Sequence, residues 1–109
     1  MKVRSETTRE VRIYMAGDVA AARMMAQKLA ATKGMCVTIT PTTYVYSGGS
    51  EEGFIVGFIN YPRFPKNPEI LDAEAMGFAK YLMIELGQYS FSVVTPETTT
   101  WVSRREETS

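Results

Sequence analysis

The chain has 109 residues, 45% hydrophobic and 22% charged, a globular balance that excludes collagen-like, disordered and membrane-embedded classes. Twelve Lys and Arg offset twelve Asp and Glu, so no bulk positive field exists to grip duplex nucleic acid, which is held through many phosphates at once. Histidine is absent and Cys36 is the single cysteine, which removes the commonest acid-base group, a zinc ligand set and an intrachain disulfide.

That length suits one domain, residues 1–109, with flexible tails at 1–9 and 105–109. The charged segment from Met1 to Glu10 lacks the apolar core of a signal peptide. No apolar run approaches the roughly 18 residues of a membrane span, so no membrane partner is expected and a cytoplasmic setting is the default.

Val11 to Met15 alternates with period two and meets Ala16-Gly17-Asp18, which predicts a strand and then a turn. Asp18 can accept from the free amides of a helix over Val19 to about Lys33, rich in alanine and stopped by Gly34. Its buried stripe is Val19, Ala22, Ala26, Leu29 and Ala30. Met35 to Thr40 predicts a strand that Pro41 interrupts, and Thr43 to Tyr46 resumes it before the turn Ser47-Gly48-Gly49-Ser50.

Gly53 to Tyr61 is a strand apolar on both faces, with Phe54, Val56 and Phe58 on one and Ile55, Ile59 and Tyr61 on the other. Asn67 with Pro68 opens a second helix, whose buried stripe is Leu71, Ala75, Phe78, Leu82 and Leu86 and which ends at Gly87. Ser90 to Val94, a bend at Thr95-Pro96-Glu97, and Thr98 to Arg104 complete the order. The strand and Thr-Pro pattern of Val37 to Val45 recurs weakly in Ser92 to Val102. Two β-α-β halves joined by a hairpin predict an α+β, ferredoxin-like split βαβ sandwich, an antiparallel sheet with two helices on one face. The uncovered face of such a sheet, apolar in its central strand, predicts a homo-oligomer.

Most polar residues have structural explanations. Asp18, Glu51, Glu52, Glu69, Asp72 and Glu74 sit at helix starts or beside a turn, where capping and solvation account for them. Cys36 lacks a neighbouring base and reads as a small core or edge residue. No metal-ligand spacing or calcium loop occurs, and Gly48-Gly49 lacks the lysine and helix of a phosphate loop, so neither metal nor cofactor is expected.

Two constellations remain. Asn60, Tyr61, Arg63 and Phe64 end the central strand, and Trp101 and Arg104 end the last one. Aromatic rings that stack on a base, together with arginines that hold phosphate, are what recognition of a small anionic nucleotide requires. The same rings and arginines are also those enriched at protein interfaces.

Four segments, Ile13 to Asp18, Cys36 to Thr42 continuing to Gly48-Gly49, Gly57 to Pro65, and Thr100 to Arg105, resemble a group of short phage- and prophage-associated proteins. The resemblance implies a viral or mobile-element source and a bacterial host cell. In size, oligomer-prone sheet and lack of catalytic residues the chain is also similar in kind to phage anti-defence sponges, which sequester nucleotide immune signals without cleaving them. On these grounds the expectation is a non-enzymatic sponge for an anionic, cyclic nucleotide, with a protein-protein inhibitor or adaptor as the alternative.

Overall fold

The computed structural model describes residues 1–105; the expected mobility of the last residues falls, from Glu106 on, outside them. The elements are β1 (Glu10–Ala16), α1 (Val19–Lys33), β2 (Thr38–Tyr46), β3 (Gly49–Ile59), α2 (Pro68–Glu85), β4 (Ser90–Val94) and β5 (Thr99–Ser103). The strands form one antiparallel sheet in the order β2-β3-β1-β4-β5. The first four strands and both helices are the ferredoxin-like split βαβ fold, with β5 added as an edge beyond β4.

Local chemistry sets the helix ends. The Asp18 carboxylate accepts from the Ala20 amide at 2.9 Å and the Asn67 side chain accepts from Glu69 at 2.9 Å, each satisfying an amide that has no intrahelical partner. Gly34, in the left-handed region at φ 67°, donates to Ala30 O and closes α1.

The core lies between the helices and one sheet face. Val11, Ile13 and Met15 of β1 meet Phe54, Val56 and Phe58 of β3, with Phe91 and Val93 of β4, all buried under Ala22 and Ala26 of α1 and Leu71, Ala75, Phe78 and Leu82 of α2. Phe58 and Phe78 meet edge to face, centroids 5.5 Å apart at 84°, a geometry worth about 0.5–1.5 kcal/mol beyond the area it buries.

Two sequence expectations need correction. β2 is one continuous strand, because Pro41 pairs with Phe54 on the outermost strand, where a missing N–H can face solvent without breaking a ladder. β3 starts at Gly49 and stops at Ile59, so Tyr61 belongs to the following loop. Of the two places read for Cys36, core or edge, it takes the exposed one, ahead of β2. Among the described residues no helix is long and apolar enough to cross a membrane.

Candidate functional site

Strand alternation decides what stands on the sheet face opposite the helices. Thr40 pairs with Ile55, Ile55 with Tyr14, Tyr14 with Ser92 and Ser92 with Trp101, so one row crosses all five strands. The next row toward the far end runs Thr38, Gly57, Arg12, Val94 and Thr99 in the same way. Side chains on these rows lean on one another or on solvent, since no helix covers them.

Glycine shapes this face. A Cβ at Gly53 would collide with the Met15 carbonyl and the Tyr44 ring, and one at Gly57 with the Thr38 hydroxyl. The Tyr44 ring therefore lies across Gly53, and its hydroxyl donates toward Phe54 O at 3.0 Å and Met15 O at 3.3 Å. Burial, first of all, pushes the Tyr44 phenol above its ordinary value, and the charge of Glu51, its cross-strand partner, adds to the shift.

Beside Tyr44 a cleft of about 260 Å³ opens at the end of the sheet where β1 runs out. Tyr14, Tyr44, Tyr89 and Trp101 give it aromatic walls. The hydroxyls of Ser90 and Ser92, the Gln88 side chain and the opposite charges of Glu51 and Arg105 give it a polar lining. Arg105 and Arg104 stand 5.2 and 5.0 Å from the centre of the Tyr89 ring, so the guanidinium groups are held over an aromatic face. Rings for stacking, a carboxylate for a cation and an arginine for an anion all meet in this one place.

The sequence-predicted residues divide between two corners of the sheet. Ile59 pairs with Glu10 at the first residue of β1, whereas Ser103 pairs with Ser90 beyond the other end of the β1–β4 ladder. Asn60, Tyr61, Arg63 and Phe64 thus lie at the opposite end from Arg104, and one chain does not bring the two groups together. Trp101 lines the cleft, and Arg104 flanks it through Tyr89.

At the other corner the polar groups are already engaged. Asn60 is 9% exposed; its side-chain amide donates to Thr7 O at 2.9 Å and accepts from the Lys66 amide at 2.8 Å. The Tyr61 and Phe64 rings lie 5.2 Å apart, inclined at 36°, and Cys36 beside Tyr61, followed by burial, pushes its phenol up. Arg63 is exposed. The hollow under this loop measures about 10 Å³, room for one water at most.

Sequence reasoning passed over Tyr14, Tyr44 and Tyr89 and gave Glu51 to a solvated turn. Their period-two positions told which residues share a face within each strand, but only the strand order places Glu51 and Trp101 around the same opening. Among the described residues, no three His, Cys, Asp or Glu side chains gather as a metal site.

No protein-family model matches the chain, and no curated protein matches it. Two solved structures share its fold. One is a phage SAM lyase in complex with S-methyl-5′-thioadenosine, with a TM-score of 0.74, 14% identity, and coverage of 94% of this chain and 95% of that one. The other is a phage SAM lyase in the apo state, with a TM-score of 0.69, 13% identity and 92% of each chain covered. These neighbours overturn the expectation of a non-enzymatic sponge, because the architecture read as that of a passive binder is shared with the two phage SAM lyase structures. The absence of histidine does not by itself exclude catalysis.

Proposed function

We propose that this chain cleaves S-adenosylmethionine, releasing S-methyl-5′-thioadenosine. The observation that carries this reading is the overlay of nearly the whole of both chains on a lyase of that substrate holding that nucleoside thioether. The cleft's chemistry supports it. Its aromatic walls suit an adenine, and the same rings with Glu51 suit an alkylated sulfonium cation. Arg105, which lines the cleft, would pair with the methionyl carboxylate.

The bond that breaks joins the sulfonium sulfur to the methionyl γ-carbon, and its electron pair goes to sulfur, giving a neutral thioether. Attack by the substrate's own carboxylate oxygen forms the new C–O bond and closes a five-membered lactone. No proton moves in that step, so neither histidine nor a metal-bound water is required. Because opposite charges are lost on the way to product, aromatic walls that exclude water favour the transition state. Glu51 stabilises the cationic ground state and so serves binding more than rate.

The test is incubation of purified protein with S-adenosylmethionine and separation of the products by mass. Stoichiometric S-methyl-5′-thioadenosine is expected; unchanged substrate at high protein concentration overturns the reading. Trp101→Ala should weaken substrate binding by about 1–3 kcal/mol, the usual contribution of base stacking. Glu51→Gln should raise KM more than it lowers kcat.

The association of copies belongs to the same reading. The cleft of about 260 Å³ opens to solvent at the end of the sheet, and a neighbouring copy would close it. The β2–β3 hairpin runs past the end of β1 and exposes Tyr46 there on the same face as Tyr44, and a second copy of the chain is the occupant we assign to this face. In a phage-infected cell, draining the methyl donor is the anti-defence role such an enzyme would fill.

A further inference from the structure

Trp101 stands on the least supported strand of the sheet. Among the described residues β5 pairs with β4 alone and has no strand beyond it, and it exposes Thr99, Thr100 and Trp101. Beyond its five-residue ladder with β4 and the packing of Val102 on the core, β5 is tied at its two ends. At one end the Arg104 amide donates to Tyr89 O at 2.9 Å. At the other, the turn between β4 and β5 carries Glu97, and both Glu97 oxygens accept from Arg9 Nη1, at 2.8 and 2.7 Å.

Arg9 is itself fixed. Its side chain is only 13% exposed, its Nε donates to Asp72 Oδ1 at 2.9 Å, and its Nη2 pairs with Asp72 Oδ2. Asp72 lies in the first turns of α2, which is packed on the core. One guanidinium thus joins the segment entering β1, the second helix and the β4–β5 turn, and its planar fork meets a carboxylate on two sides. The turn's own bonds, with the Thr95 amide donating to Thr98 O at 2.8 Å and the Thr95 hydroxyl near both Glu97 and Thr98, shape the reversal without tying it to the body.

We propose that Arg9 and Glu97 are a positioning pair for the candidate active site: anchoring the β4–β5 turn to α2 holds β5 in place, and with it the Trp101 wall of the cleft. Only the ligand arm of the test rests on the lyase reading. Neither residue touches the cleft, so their effect reaches substrate through the strand.

The chain's single tryptophan makes this directly measurable. Glu97→Gln keeps the side chain's shape and removes its charge. In the unliganded variant, acrylamide quenching of Trp101 should rise and its fluorescence anisotropy should fall. Raising salt to about 1 M, where screening acts within about 3 Å, should move the unaltered protein toward the variant and leave the variant where it is. KM for S-adenosylmethionine should rise about two- to fivefold, the scale of an exposed ion pair, with kcat nearly unchanged. Glu97→Asp should restore part of both signals.

Unchanged Trp101 quenching and anisotropy in Glu97→Gln overturn the proposal, whatever the enzyme does. Changed quenching with KM unmoved in an active protein also overturns it, since the strand would then be loosened without consequence for the cleft. If the unaltered protein leaves S-adenosylmethionine intact, the lyase reading fails by itself, and the fluorescence arm still decides whether this pair holds Trp101.

Discussion

The two faces of the sheet are built from the same strands and differ in almost every other respect. Phe54, Val56 and Phe58 of β3 point toward the helices and are at most 1% exposed, while their neighbours Gly53, Ile55, Gly57 and Ile59 point the other way, where Ile59 is 42% exposed. The covered face carries stability through interdigitated rings and aliphatic chains. The open face carries a candidate site whose side chains are held by lateral contacts such as Tyr44 on Gly53. Within one strand, alternate residues therefore serve folding and chemistry, and a substitution's consequence depends on the parity of its position.

The strongest way to break this comparison is to cut into the covered face. Phe58→Ala removes a buried ring that meets Phe78 and should cost about 3–5 kcal/mol of unfolding free energy, read from urea denaturation. A loss below 1 kcal/mol would mean that the core is not where the burial pattern puts it. Gly53→Ala tests the open face at its tightest point. The added methyl meets the Met15 carbonyl and the Tyr44 ring, which should cost about 1–3 kcal/mol and displace Tyr44. Its signature is a return of the Tyr44 titration toward the ordinary phenol range.

The smallest effect is alkaline. The folded chain keeps the Tyr44 and Tyr61 protons to higher pH than the unfolded chain does, so both phenols bind more proton when folded. Their contribution is intact below pH 10, the ordinary value, and is lost as pH rises through the folded values. Stability should decline above pH 10 more steeply in the unaltered protein than in Tyr44→Phe, as followed by thermal unfolding against pH. Parallel curves would show that Tyr44 is not shielded by the face it lies on.

The sequence made the covered half legible. Asp18 and Asn67 as caps, the stripes Ala22-Ala26 and Leu71-Ala75-Phe78-Leu82, and the alternation in β3 are local signals, each readable within one turn or one strand. The two Thr-Pro segments show where local reading stops. Thr40-Pro41 continues straight along an edge, whereas Thr95-Pro96 enters a tight turn that Thr95 closes onto Thr98, and nothing local tells them apart. The site depended on that same missing information. Trp101 could be picked out by its chemistry, but its neighbours Tyr14, Tyr44 and Glu51 come from three other strands, and Asn60 to Phe64 proved to be a rigid loop at the far corner.

The glycines of β3 also govern how the sheet can fail. Gly53 and Gly57 alternate with Ile55 and Ile59, and Tyr44 and Thr38 of β2 lean into the two vacancies like teeth into notches. Sliding β2 by two residues would preserve every inward and outward direction, which is the slip that strand alternation alone cannot forbid. Slid one way, β2 would drive the Tyr44 ring against Ile55, and slid either way it would strip the Tyr44 hydroxyl of its carbonyl acceptors. An exposed outer hairpin, the usual place for misregistered pairing and aggregation, is thereby keyed to a single alignment.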